Sequence, residues 1–304
     1  MPTALVFTEY GGPQTQHLVD LPKPVPGPDE LLVAVRAAGV NPVDWKIREG
    51  YLRDVFELSL PKVMGSELSG VIEQVGEGVS DFQVGEGVFG SPVAGAFTEY
   101  ALLPVRVAAR KPDAVSFIDA ATLPVAAATA YDALAQLALP AGATVLVLGA
   151  GGGVGVATVQ LARAAGHEVI AVAGAAKRDF LTSLGAVHVA SGPGTAERVR
   201  AAAPAGIDAL VDLVGGDPLR ELAVLVDDRA RIVTAVDPGA AAEFGGAALR
   251  RQPGAGTLVE LARLVETGDL APRVSEVYPL HRAADALAAV ECGHTLGKVV
   301  IEVS

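Results

Sequence analysis

The densest chemistry in the sequence lies between residues 145 and 178. A buried-looking apolar run, Val145-Leu146-Val147-Leu148, leads into Gly149-Ala150-Gly151-Gly152-Gly153-Val154-Gly155, and the helical stretch Val156–Ala165 follows. Gly149, Gly152 and Gly155 hold three spaced positions. Glycines after a strand let the backbone turn tightly and approach a pyrophosphate, whose charge the free N–H groups and positive dipole end of the next helix receive. That chemistry is dinucleotide binding, with Gly153 and Val154 opening the helix. A second signal follows the next apolar run. A site for a 2′-hydroxyl ribose wants a carboxylate at the end of that strand. This chain instead carries Ala173-Gly174-Ala175-Ala176-Lys177-Arg178, with no acid before Asp179. Space at Gly174 beside two cations suits a 2′-phosphate, with arginine binding it bidentately and lysine acting as a point charge. The pattern points to NADPH rather than NADH.

These residues need a parallel sheet to hold them, and the alternation from 144 onward predicts one. Strands are expected at Val145–Leu148, Val169–Ala173, Val187–Ala190, Ala209–Leu213 and Arg231–Val236. Helices are expected at Val154–Ala165, Arg178–Leu184, Ala196–Ala203 and Leu219–Val226. Such βα rounds specify a doubly wound α/β unit with helices on both faces. In that arrangement the loops Leu213-Val214-Gly215-Gly216 and Ala235-Val236 reach the nicotinamide end mainly through their backbones, which marks Leu213 and Val236 as cofactor-binding candidates.

The first 110 residues have a different texture. Ala4–Phe7, Leu31–Ala38, Gly70–Val75 and Gly85–Phe89 are short strand-like runs, with Pro22, Pro24, Pro26 and Pro28 alternating between the first two. They predict a barrel-like unit. Helices are expected at Phe117–Leu123 and Ala126–Leu137. After a helix at Leu258–Glu266, the tail reads strand, helix, strand over Val274–Leu280, Ala283–Glu291 and Lys298–Val303. Asp44 and Arg48, four apart, have the spacing of a helical ion pair.

Composition removes several classes of function. Lys and Arg total 23 against 35 Asp and Glu, a net charge of −12 over 304 residues, so a nucleic-acid groove is excluded for want of a positive field. The one cysteine, Cys292, permits neither an intrachain disulfide nor a multi-cysteine zinc cluster and suits a reducing compartment. Residues 133–162 carry no charge, yet Pro140 and the glycine run argue for strand, turn and helix rather than a membrane span. The opening Met1-Pro2-Thr3, with Glu9 close behind, lacks the pattern of an export signal. A cytoplasmic location is expected. His17, His167, His188, His281 and His294 are scattered without metal-ligand spacing.

Three further segments, in order, carry a resemblance. Asn41-Pro42-Val43-Asp44-Trp45-Lys46-Ile47-Arg48-Glu49-Gly50, Gly65-Ser66-Glu67-Leu68-Ser69-Gly70 and the tail Gly297-Lys298-Val299-Val300 resemble the zinc-free medium-chain dehydrogenase/reductases of the quinone oxidoreductase type. The likeness covers nearly the whole chain. It implies a split, GroES-like β-barrel substrate domain from both chain ends (1–116 and 255–304). This domain would wrap round a central Rossmann domain (117–254), with the active site in the cleft and usually a homodimer or homotetramer. Zinc-containing relatives place a cysteine and a histidine where this chain has Asn41 nearby and Ser66, so no metal site is expected.

The resemblance further implies hydride transfer from NADPH to an acceptor already conjugated, a quinone or an α,β-unsaturated carbonyl, since no metal polarises the substrate. It puts Asn41 near the nicotinamide, where its amide would donate to the acceptor's carbonyl oxygen, and Thr129 near the same end, unless that threonine merely bonds its own helix. Trp45 and Tyr51 are candidate walls of a planar-substrate pocket, with Tyr51 a possible proton source; equally, both fit as core aromatics. Where relatives carry a tyrosine beside the 2′-phosphate, this chain has Val189-Ala190-Ser191-Gly192, leaving that pocket to Lys177 and Arg178. Two alternatives stay open: a biosynthetic enoyl reductase with a bulkier substrate, and a non-catalytic NADPH-binding sensor or structural protein.

Overall fold

The computed structural model describes residues 1–54 and 58–304. The chain forms two compact units. One comprises 1–128, 253–268 and 274–304; the other comprises 129–252 and 269–273. The first junction falls after residue 128 rather than at 116/117 because residues 117–127 are tied to the strand Glu67–Val75. Ser69 Oγ donates to the Phe117 carbonyl at 2.6 Å, and the Val125 N–H donates to Glu67 Oε2 at 2.7 Å. Residues 269–273 join the second unit through Gln160, whose amide exchanges hydrogen bonds with the backbone of Ala271 at 2.8 and 3.1 Å.

In the first unit the long strand Glu30–Val40 is the spine of a seven-stranded sheet. It pairs antiparallel with Glu67–Val75, Tyr100–Pro104 and the C-terminal strand Lys298–Glu302. Two register shifts against Glu67–Val75, at Leu32/Val33 and Val35/Ala37, are the bulges that let an antiparallel sheet curl toward a barrel. A smaller sheet joins Gln16–Asp20, Thr3–Phe7 and Lys62–Val63. Inward residues such as Leu5, Phe7, Leu31, Leu68, Phe97 and Ile301 are almost wholly removed from water and form the unit's core. The structure adds a short helix, Pro42–Arg48, immediately after the spine.

The second unit is a six-stranded parallel sheet. Thr144–Leu148 lies at its centre, flanked by Glu168–Ala173 and Ala209–Asp212, with Val187–Ala190, Ile232–Thr234 and Ala247–Ala248 farther out. Val145, Leu146 and Val147 are fully buried, as a strand covered on both faces must be. The uncharged stretch 133–162 thus resolves into a helix end, this strand and the helix Gly153–Ala164. No helix among the described residues is long and apolar enough to cross a membrane.

The helix expected over 117–123 ends at Ala120, and a wide π turn over Leu123–Ala127 precedes the helix Ala128–Leu137. Pro124 supplies no N–H, and that of Val125 is spent on Glu67, so the regular ladder cannot run through this point.

Candidate active site

At the carboxyl edge of the parallel sheet, Gly149 turns the chain with φ of +88°, a conformation that side-chain-bearing residues rarely adopt. The N–H groups of Gly149 and Ala150 both donate to the Val172 carbonyl at 3.1 Å, which ties the turn to the neighbouring strand. Gly152 caps the helix in an extended conformation with no side-chain acceptor, so the first-turn amides depend on an outside partner. Gly155 is required by close approach: a Cβ there would lie 2.3 Å from the Gly149 oxygen and 2.6 Å from Ala150 Cα. Gly153 and Val154 stand, half-buried, at the helix start.

The end of the second strand carries the expected cations. Gly174 is exposed with open space beside it, and Arg178 is exposed at the start of the helix Arg178–Ser183. Lys177 is half-buried and folds back over the glycine turn; a Cβ on Gly151 would fall 2.1 Å from its Cδ. Loss of water pushes the Lys177 ammonium below its ordinary value, toward readier sharing of its proton with an anion. Leu213 is half-buried and Val236 exposed in the loops after the fourth and fifth strands of the unit in sequence order. Thr129 is buried, and its hydroxyl accepts from Arg251 at 2.8 Å; Arg251 also pairs with the buried Asp132 at 2.8 Å.

Those two loops are wired by side chains that sequence reasoning passed over. Asp212, fully buried, accepts from the N–H groups of Val214 and Gly215 at 3.0 and 2.9 Å and from Thr234 Oγ1 at 2.6 Å. Thr234 Oγ1 accepts from the N–H groups of Val236 and Asp237 at 3.1 and 3.0 Å. Asp237 accepts from Ala240 and Gly216, and these two amides hold its carboxyl below the usual range.

In the first unit, Asn41, Glu67 and Lys298 form a buried knot. Lys298 Nζ donates to the Val40 carbonyl at 2.8 Å, Asn41 Oδ1 at 2.6 Å and Glu67 Oε1 at 2.8 Å, using all three of its protons. Asn41 Nδ2 donates to Glu67 Oε1 at 2.8 Å. The amide oxygen and one N–H are committed to Lys298 and the fully buried Glu67, and the second N–H makes only a long contact, 3.4 Å, with the Gly39 carbonyl, so donation to an acceptor carbonyl would fall to that second N–H. The Asp44–Arg48 ion pair is also absent. Asp44, near the start of the helix, accepts from the Asn41 N–H at 2.8 Å and from the Ser66 hydroxyl. Arg48, wholly buried at the other end, donates to the Gly11 carbonyl, Gln16, Glu49 and Glu291 at 2.9–3.3 Å. Burial is the main cause that pushes Asp44 up to about 7; the bonds from Ser66 and Asn41 oppose it, as does the Lys298 charge, while Glu67 adds to it.

Trp45 packs against the core of this unit, and Tyr51, 70% exposed, meets its ring edge-on at 6.0 Å between centroids. Neither Lys298 nor Glu67 was assigned a role from sequence. The available signal was a charge embedded in an apolar strand, where an unpaired ion is too costly to stand alone; Asp212, ending the buried run Ala209–Asp212, carries the same signal.

A family model described as an alcohol dehydrogenase GroES-like domain matches residues 27–113, and one described as a zinc-binding dehydrogenase matches residues 184–301. A chloroplast envelope quinone oxidoreductase homolog of Arabidopsis thaliana is 31% identical, over 98% of this chain and 98% of its own length. The chain belongs to the medium-chain dehydrogenase/reductase family, in its quinone oxidoreductase branch. This branch member is also similar to an NADPH-dependent alkenal/one oxidoreductase of Arabidopsis thaliana, at 32% identity over 98% of the chain and 78% of the relative. The quinone oxidoreductase structure from Coxiella burnetii superposes with a TM-score of 0.92 at 30% identity, covering 100% of this chain and 99% of that one. This medium-chain reductase is an oxidoreductase with a GroES-like barrel and a Rossmann-type sheet, in a family that binds nicotinamide dinucleotides. Zinc does not fit the donors present. Asn41 is bound to Glu67 and Lys298, Ser66 is bound to Asp44, and among the described residues no three His, Cys, Asp or Glu side chains gather into a cation site.

Proposed function

We propose that the protein is an NADPH-dependent, metal-independent reductase of quinones or other conjugated carbonyls. The observation that carries the cofactor choice is the pair Lys177 and Arg178 after an exposed Gly174, with no carboxylate at the end of that strand. The helix-start amides at Gly153 and Val154 bind the diphosphate, the cations bind the 2′-phosphate, and the loops at Leu213 and Val236 take the nicotinamide end. When bound, NADPH supplies the hydride. Because no Lewis acid is available to polarise an isolated carbonyl, acceptors with conjugation of their own are favoured, as the names of the relatives also suggest. Trp45 and Tyr51 offer an edge-on aromatic wall for a flat acceptor. Asn41 gives one N–H to Glu67 and would turn the other, now 3.4 Å from the Gly39 carbonyl, to the acceptor's oxygen. The product takes its proton from water, so no buried general acid is needed.

The test is a comparison of reduced cofactors by fluorescence titration. Lys177→Ala combined with Arg178→Ala should weaken NADPH by about 2–4 kcal/mol, the loss of two charge-assisted contacts, and leave NADH nearly unchanged. Equal losses for both cofactors would reject the assignment.

A further inference from the structure

The loops after the strands Ala209–Asp212 and Ile232–Thr234 lie at the carboxyl edge of the sheet, where open α/β sheets bind their ligands. Their backbone donors are unusually committed. The N–H of Leu213 goes to the Leu148 carbonyl, those of Val214 and Gly215 to Asp212, and that of Gly216 to Asp237. The N–H of Ala235 goes to the Asp212 carbonyl, and those of Val236 and Asp237 to Thr234 Oγ1. Every backbone N–H from 213 to 216 and from 235 to 237 is thus consumed within the unit. Asp212 and Thr234 are the hinge of this arrangement, since the hydroxyl of Thr234 donates to Asp212 while accepting from the second loop.

We propose that Asp212 and Thr234 are a positioning pair that presets both loops to receive the nicotinamide half of the cofactor. The inference rests on the nucleotide-binding reading above. The pair's side chains take four of these seven N–H groups and the Asp212 carbonyl a fifth; with Leu148 and Asp237 holding the other two, carbonyl oxygens are the main-chain groups these stretches can offer. Acceptors of that kind suit a hydrogen-bond donor such as the primary amide of nicotinamide. Gly215 and Gly216, at φ of +76° and +60°, let the first loop reach Asp212 and Asp237 in this way. Neither acid nor hydroxyl touches the ligand. Their contribution is a loop geometry that would otherwise be ordered only on binding, at an entropic cost to affinity.

The test separates the two halves of the cofactor on the full-length protein. Calorimetric titration of wild type with NADPH and with 2′-phosphoadenosine diphosphoribose, which lacks nicotinamide, should give binding of both. Thr234→Val should weaken NADPH by about tenfold, the loss of one shared hydroxyl, and leave the nicotinamide-free ligand unchanged, while Thr234→Ser restores NADPH. Asp212→Asn provides the same split should the valine variant fail to fold. Equal effects on both ligands in the folded variants, or none, would overturn the positioning role while the nucleotide site stood. Wild type that binds neither ligand would overturn both.

Discussion

Asp44 should make the stability of the barrel unit fall as pH rises. Its carboxyl titrates near 7 in the folded chain against an ordinary value of 3.8, because burial disfavours the charged form more than Ser66, Asn41 and Lys298 favour it. The folded state therefore holds the proton more tightly than the unfolded state. Stability from this group is fully present below about pH 4, declines as pH rises through 7, and levels off above it. The gap between 3.8 and about 7 corresponds to about 4 kcal/mol in all, of which about 2–3 kcal/mol falls between about pH 5 and about pH 8. Asp44→Asn removes the titration. It keeps the shape and both contacts, the amide oxygen accepting from the Asn41 N–H and the amide nitrogen donating to Ser66 Oγ, so its stability should not follow this titration. Trp45, the chain's single tryptophan, sits on the same helix and reports unfolding of this unit by its fluorescence. Urea unfolding of both proteins across that range should show the stability of wild type relative to the variant falling by about 2–3 kcal/mol toward alkaline pH. A constant difference would refute the assignment of a proton to Asp44 near neutrality.

The glycine turn and the buried knot give two further tests. Gly155→Ala should lower NADPH affinity by at least about tenfold in fluorescence titration, because its Cβ meets backbone at 2.3 Å. Gly151→Ala meets only the flexible Lys177 and should cost less; the reverse order would be incompatible with the turn. Lys298→Met strands the buried Glu67 carboxylate and should cost about 3–5 kcal/mol in unfolding measurements, much of it recovered by adding Glu67→Gln; a neutral single substitution would contradict the knot.

Much of the parallel sheet was legible because its determinants are local. Apolar runs of strand length, helical periodicity between them and a glycine turn at 149–155 are read along the chain, and the strands at 144–148, 168–173, 187–190 and 209–212 follow from them. Short pieces were missed where neighbours rather than propensity create them. Gln16–Asp20 becomes a strand by pairing with Thr3–Phe7, and the helix Pro42–Arg48 starts where the Asp44 carboxylate accepts the Asn41 N–H.

The site divides along the same line. Gly149, Gly155, Lys177 and Arg178 declare their chemistry by type and spacing, since a tight turn and a pair of cations need no distant partner to be recognised. Which atoms Asn41, Asp44 and Arg48 bond to depends on residues far away in sequence. Glu67 and Lys298 reach Asn41 from 26 and 257 positions off, and Glu291 reaches Arg48 from 243. Helical spacing favoured an Asp44–Arg48 pair, but an exposed pair of that kind is worth only a few tenths of a kcal/mol. Leaving the buried Glu67 or Arg48 without partners costs several. The penalty for a stranded buried charge prevails, and the partners that avoid it meet only when both ends of the chain close onto the strand Glu30–Val40.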